Sequence, residues 1–245
     1  MYDQSAINNP KYRKIFGQME DVTRKEANSL YKKIISETAI GLKQYGFQKS
    51  NSVTLERANE NMVQKLNFQR YTHLPTITIN TSIRPKFISK TDDRILPLCK
   101  RIDKFDSRES SWYPIKRDTK SVAHELLTII TDKVLPYFDS LDTPDKIIKN
   151  IDKIENDGYV SPENVLLYCA LRTGNNDLSI KYLDKEINLV NLQIAQGANP
   201  VEYGKYLEYF ILLKSYVIEG NYQKINILLS SYEQEYMEKK YGNKL

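Results

Sequence analysis

Residues 76–84, TITINTSIR, carry the pattern that decides the fold. Ile77, Ile79 and Ile83 stand at odd positions, while the even positions from 78 to 84 hold threonine, asparagine, serine and arginine. Because successive side chains of a β-strand point to opposite faces of its sheet, this alternation predicts a strand with one apolar and one polar face. A sheet built around it buries one side and presents hydroxyls and amides on the other.

Further alternating runs flank this strand. Residues 52–57 and 63–70 both alternate, and the polar segment 59–61 between them contains two asparagines, which predicts an antiparallel hairpin. A weaker run over residues 98–105 predicts a fourth strand. Pro97 confines that strand to a start or an edge position, since proline cannot donate to a ladder.

Helical periodicity appears on both sides of the sheet. Apolar residues recur every four positions through residues 23–45, which is typical of one amphipathic helix. The same spacing over residues 122–134 predicts a second helix, with Asp118 or Thr119 as its N-cap and Pro136 as its end.

From residue 143 to the C terminus the pattern is helical throughout and predicts five helices. Thr143 and Ser161 each precede a proline, a pair typical of helix starts. Gly174-Asn175 and Gly220-Asn221 stand at corresponding points of two similar stretches. These stretches predict a duplicated helical hairpin, although two copies fall short of a solenoid.

The predicted fold class is α+β: an N-terminal helix, an antiparallel sheet and a helix, followed by an all-helical αα-hairpin domain. The predicted divisions are a polar N-terminal segment at 1–22, an α+β domain at 23–140 and a helical domain at 141–245. The first predicted helix starts where the polar segment ends, and the last helical run continues to the C terminus.

Composition favours a folded protein of the reducing cytoplasm. The chain is 40% hydrophobic and 27% charged, close to the averages of folded soluble proteins. Its two cysteines are far apart in sequence, so a disulfide framework is not expected. No stretch approaches the ~18 apolar residues of a membrane span, and we expect no membrane association.

Charge is distributed unevenly along the chain. Residues 1–117 carry 22 Lys+Arg against 12 Asp+Glu, a net charge of +10, and the remainder carries −5. Such asymmetry can mark an acidic partner, and it equally describes two ordinary solvated surfaces that attract one another. We favour the second interpretation.

A series of short motifs stands in a distinctive order across about residues 26–150. They are Tyr45-Gly46-Phe47-x-Lys49, Arg57, Asn67-Phe68-Gln69, Thr78-Ile79-Asn80, Cys99-Lys100-Arg101-Ile102 and Trp112. In order and spacing the series resembles the bacterial domain-of-unknown-function 4304 family. The resemblance implies a mixed α and β domain with a helical continuation and no established activity. Some bacterial proteins of this general kind act as immunity factors near toxin systems. Tyr113 departs from the family pattern, which has a second tryptophan there.

No motif for catalysis, metal binding or phosphate binding is present in the sequence. The two histidines, His73 and His124, lie in a turn and on a helix face, and a Cys99–histidine pairing remains an open but generic alternative. No metal-ligand spacing and no glycine-rich phosphate loop occurs. We therefore predict no catalytic residues, no metal site and no cofactor.

Two surfaces are candidates for binding a partner. In the second strand Phe68 joins the apolar set, so its neighbours belong to the polar face. The residues predicted to bind on that face are Asn67, Gln69, Thr78, Asn80 and Arg84, whose amides and guanidinium could bind a partner's backbone. A face that is merely wet, or that a neighbouring helix covers, is the alternative. A basic patch follows, formed by Lys100, Arg101, Lys104 and Arg108.

The predicted function is non-catalytic binding of another protein, as an adaptor or an immunity-like factor, with the oligomeric state open. The first alternative is nucleic-acid binding through the basic N-terminal half, with Phe68 and Tyr71 as stacking residues. Phe68 falls on the apolar face, which counts against it. The second alternative is an enzyme of unrecognised type. The single tryptophan, Trp112, is predicted to be largely buried against the sheet.

Overall fold

The computed structural model describes four stretches of the chain, which form parts of two compact units. The described residues are 22–88, 97–106, 112–156 and 162–241. Unit 1 comprises Met1–Ile83 and Cys99–Ser140, and unit 2 comprises Arg84–Leu98 and Leu141–Leu245. No helix among the described residues is long and apolar enough to cross a membrane.

An antiparallel sheet with helices confirms the α+β class. The helices before residue 141 are α1 (Arg24–Leu42, continued by a 3₁₀ turn at Lys43–Tyr45), α2 (Asp103–Asp106), α3 (Thr119–Ile129), a π-helical segment (Ile130–Val134) and α4 (Leu135–Asp139). The strands are β1 (Gln48–Lys49), β2 (Thr54–Ala58), β3 (Met62–Arg70), β4 (Thr76–Pro85), β5 (Leu98–Arg101) and β6 (Tyr113–Pro114).

The strands are hydrogen-bonded in the order β1-β2-β3-β4-β5, and β6 also pairs with β4. Strands β2 and β3 form the predicted hairpin, in which Leu55 lies opposite Leu66 and Thr54 lies opposite Asn67. This register gathers apolar side chains on one face and polar ones on the other. The residues predicted for the apolar face are buried, namely Leu66, Phe68, Ile77, Ile79 and Ile83, and Leu55 is buried with them.

Helix α1 begins with a capping box and contacts the sheet. The Thr23 hydroxyl accepts from the Glu26 amide, and the Glu26 carboxylate accepts from the Thr23 amide. Further along, the Tyr31 hydroxyl donates to the Phe68 carbonyl at 2.7 Å. Burial raises the pKa of Tyr31 to about 12, so the hydroxyl stays protonated and keeps this bond at neutral pH.

Two predicted boundaries in unit 1 were wrong. Pro136 does not end the second helix, because the π-helical segment Ile130–Val134 leads directly into α4. The wider π turn accommodates a proline ring that would clash with the carbonyl four residues back in a regular helix. The fourth strand stops at Arg101, where the short helix α2 takes over from the predicted strand.

Unit 2 contains six described helices where five were predicted. They are α5 (Pro144–Lys149), α6 (Ile151–Asn156), α7 (Glu163–Thr173), α8 (Asn176–Ala195), α9 (Pro200–Ile218) and α10 (Tyr222–Tyr241). Asn150 separates α5 from α6, because its side-chain amide and its backbone N–H both donate to the Lys146 carbonyl and so cap α5. Thr143 caps α5 as predicted; Ser161 lies outside the described residues.

The two similar hairpins have matching turns. Gly174 and Gly220 both adopt left-handed backbone angles, with φ of 68° and 67°, which an L-residue with a side chain rarely adopts. The next residue in each turn, Asn175 or Asn221, accepts a hydrogen bond from the amide three residues on and so caps the following helix. The predicted pair of helical hairpins is therefore confirmed.

The four long helices of unit 2 pack as a closed set rather than as an open array. Helix α8 contacts α7 and α9, and α10 contacts α9 and returns to α7. A salt bridge of 3.1 Å joins Arg172 on α7 to Glu233 on α10. A chain of hydroxyls also crosses the set, from Tyr168 to Tyr209 at 3.0 Å and from Tyr209 to Tyr232 at 3.1 Å.

The burial of neighbouring β3 residues yields a test of the sheet faces. Phe68 is 1% exposed and Gln69 is exposed, so Phe68→Ser should lower the free energy of unfolding by at least about 3 kcal/mol. Gln69→Ser should change it by no more than about 0.5 kcal/mol. Urea titration of both variants measures the difference, and equal losses would show that the assignment of the faces is incorrect.

Candidate binding surface on the sheet

Two aromatic side chains meet across strand β4 on its polar face. The amide of Tyr71, just beyond β3, donates to the Thr76 carbonyl at 3.1 Å. On the other edge of β4, Tyr113 pairs with Ile77, so Trp112 stands opposite Thr78. The ring centroids of Tyr71 and Trp112 are 5.3 Å apart, with a tilt of 45°. The two rings therefore bridge β4 on the face that carries Thr76 and Thr78.

The ring pair lies on the same face as two buried threonines. Thr76 and Thr78 are 1% and 0% exposed, although alternation puts them on the polar face. Thr78 was predicted as a binding residue, and its burial means that a partner cannot touch it at the surface. Trp112 was predicted to be largely buried against the sheet, and it is partly buried on the polar face.

A guanidinium and an imidazole extend the ring pair. The guanidinium carbon of Arg101 lies 5.8 Å from the Trp112 centroid, and Arg101 Nε donates to Asn80 Oδ1 at 3.4 Å. At the other end the His73 ring contacts Tyr71 edge-on, with centroids 5.4 Å apart. We call Tyr71, His73, Arg101 and Trp112 the aromatic platform. Arg101 and His73 are exposed, and the two larger rings are half-buried.

The other predicted binding residues have different surroundings. The Asn67 amide donates to Thr54 Oγ1 at 2.9 Å, which ties it to the neighbouring strand, while Gln69 is exposed. Arg84 is half-buried and belongs to unit 2. Of the five predicted residues, Asn80 accepts a hydrogen bond from Arg101 of the platform.

The predicted basic patch does not converge on one face. Lys100 and Arg101 are consecutive in β5, so their side chains point to opposite faces of the sheet. The Lys100 ammonium lies 5.2 Å from the centroids of both Phe105 and Tyr137, in a cation–π arrangement. Lys104 on α2 is exposed, and Arg108 lies outside the described residues.

Cys99 and His124 are two of the chemically reactive side chains that the structure describes. Cys99 shares the face of Arg101 by alternation, and desolvation raises the pKa of its thiol. A nucleophilic cysteine needs the opposite shift, toward the thiolate. His124 is exposed on α3. Within the described stretches no cluster of three or more histidine, cysteine, aspartate or glutamate side chains could hold a metal ion.

Sequence reasoning identified Arg101 and Asn80 separately and missed how they come together. Tyr71 could have been assigned to the polar face by continuing the alternation of β3 past Gln69. Trp112 could not, since its position follows from β6, which is only two residues long and carries no periodic signal. The partners of Arg101 became visible only with the pairing of β4 to β5 and to β6.

Comparison of the chain with family models, curated proteins and solved structures found no match. The resemblance to the domain-of-unknown-function 4304 family therefore stays a prediction.

The covered threonine yields a second test, matched by a residue on the same strand. No hydrogen-bond partner of the Thr78 hydroxyl is found among the described residues, so Thr78→Val should leave the free energy of unfolding unchanged or raise it by up to about 1 kcal/mol. Thr81, also buried, donates to the Lys100 carbonyl at 2.8 Å, so Thr81→Val should cost about 0.5–1.5 kcal/mol. Chemical denaturation of the two variants checks the contrast. A loss at Thr78 equal to that at Thr81 would contradict this account of the polar face.

Proposed function

We propose that this chain is a non-catalytic protein-binding protein and that the aromatic platform is its contact surface in unit 1. The observation that carries the proposal is the contact of Tyr71, Trp112 and Arg101 on a solvent-facing side of the sheet. Tryptophan, tyrosine and arginine are the side chains most enriched at the energetic centres of protein interfaces. Here all three are adjacent.

The side chains of the platform are also preorganised for binding. The pairing of β4 with β3 and β6 fixes the backbone positions of Tyr71 and Trp112, and the contact between the two rings limits their rotamers. Arg101 is oriented by Asn80. Because a partner does not have to immobilise these side chains, less conformational entropy is lost on binding. Asn80 and exposed Gln69 supply amide groups for a partner's polar backbone.

Nucleic-acid binding is the second candidate, and the ring pair is the observation in its favour. Aromatic side chains on a sheet can stack unpaired bases. A strand of nucleic acid also needs a line of cations for its phosphates. Lys100 faces the other side of the sheet, and Lys65 forms a 3.3 Å ion pair with Glu56. The protein-binding proposal therefore ranks first.

Fewer observations support the adaptor role and the immunity-like role. An adaptor requires a second contact surface, and an immunity-like role comes from the family resemblance, which involves the order of motifs rather than the platform. An enzyme of unrecognised type gains no support from the raised pKa of the Cys99 thiol.

Capture of partners with matched variants tests the proposal. Tagged wild-type protein, the double variant Trp112→Ala with Arg101→Ala, and the control Lys104→Ala are used to isolate partners from a lysate, with quantitative mass spectrometry as the readout. Lys104 is an exposed cation outside the platform, so its loss controls for charge. A specific partner should be depleted by about tenfold or more with the double variant and retained with the control.

The captured partner is then purified and titrated. Trp112 is the only tryptophan of this chain, so its emission reports occupancy of the platform, provided that the partner's own contribution is subtracted. Oligonucleotide binding is followed in parallel by anisotropy at two salt concentrations. Partners captured equally by both variants would contradict the proposal. Tight oligonucleotide binding that falls steeply with salt and is lost in the double variant would put the nucleic-acid candidate first.

A further inference from the structure

A groove of about 370 Å³ runs between α9 and α10 in unit 2. Its α9 wall consists of Tyr209, Leu212, Leu213 and Tyr216, and its α10 wall consists of Lys224, Ile227, Leu228 and Ser231. We call these eight residues the α9–α10 groove. It lies within unit 2 and shares no residue with the aromatic platform.

The residues that line the two walls of the groove have the same spacing along their helices. On each helix the four lining residues stand at positions i, i+3, i+4 and i+7, which form one stripe over two helical turns. Two parallel stripes of this kind form a groove into which a third helix can insert its side chains. The shape therefore fits a helix with an apolar face.

The lining is apolar yet open to solvent. Ile227 and Leu212 are 63% and 49% exposed, while Leu213 at the floor is buried. A single exposed apolar side chain is ordinary, but a contiguous apolar groove marks an interaction site. The one charged residue of the lining is Lys224, whose ammonium lies 4.8 Å from the Tyr216 centroid.

The chain itself carries exposed apolar side chains on α9 beside the groove. Val201, Ile211 and Ile218 are 72%, 52% and 66% exposed, and all three lie on the solvent side of α9. We call them the α9 ridge. Glu208, also exposed, stands between Val201 and Ile211 on the same side. Leu212 borders both features, so ridge and groove form one continuous surface.

We propose that the α9–α10 groove binds the α9 ridge of a second copy of this chain, giving a two-fold symmetric dimer. Such an interface is self-complementary, because each copy offers both the ridge and the groove and the assembly closes at two. Charge complementarity favours this pairing, because exposed Glu208 on the ridge of one copy would face exposed Lys224 in the groove of the other. The inference is independent of the platform and of its partner.

Sedimentation equilibrium across a range of protein concentrations tests the dimer. Ile227→Lys alters the groove, Ile211→Lys alters the ridge, and Ile40→Lys, at an α1 residue that is 76% exposed, is the control. Wild type should dimerise, and each of the first two variants should raise the dimer dissociation constant by about tenfold or more, because a lysine would be buried at the interface. The control should match wild type. Circular dichroism establishes that all variants are folded, which is expected because the three positions are exposed.

A charge exchange tests the pairing itself. Glu208→Lys should weaken the dimer, and Glu208→Lys combined with Lys224→Glu should restore it. Monomeric wild type at every concentration would overturn the proposal, as would a dimer indifferent to Ile227→Lys and Ile211→Lys or a charge exchange without rescue. If wild type is monomeric and Ile227→Lys abolishes capture of another protein, the groove serves that protein and the second-copy proposal fails. Either failure leaves the platform variants, and so the proposed function, separately testable.

Discussion

Strand β4 pairs along both edges and its residues 76–79 are buried on both faces, so its alternation governs the layout of unit 1. Ile77 and Ile79 enter the apolar core on one side, and Thr76 and Thr78 are buried on the other. A strand covered in this way permits no slip in register, because a shift of one residue would exchange its apolar and polar faces. The aromatic platform depends on that register, since backbone pairing with β4 fixes the positions of Tyr71 and Trp112.

Much of this arrangement could be predicted from the sequence, because its signals are periodic. The alternation of TITINTSIR and of the hairpin strands, and the four-residue spacing of α1, each extend over several repeats of the pattern. The unpredicted parts depend on short or non-local features. Strand β6 has two residues, the π-helical segment leaves the apolar spacing almost unchanged, and the Asn150 cap is a single hydrogen-bonding residue. None of these produces a repeating signal.

The candidate site also combines residues that local sequence could identify with contacts that it could not. Asn80 and Arg101 were each identified from local sequence, but their proximity requires β5 to pair with β4. The basic patch illustrates the opposite error. Lys100 and Arg101 are adjacent in sequence, and in a strand adjacency separates side chains to opposite faces. Lys100 consequently lies against Phe105 and Tyr137 instead of joining Arg101 at a common surface.

In unit 2, hydrogen bonds between tyrosine hydroxyls hold part of one wall of the α9–α10 groove in place. Tyr209 lines the groove, and its hydroxyl bonds to Tyr168 on α7 and to Tyr232 on α10. Burial raises the pKa of Tyr209 far above the usual tyrosine value, so its hydroxyl stays protonated at physiological pH. Hydrogen bonds in series polarise one another and hold their side chains in place. A helix that docks beside Tyr209 therefore meets a preformed surface and loses little conformational entropy in ordering it.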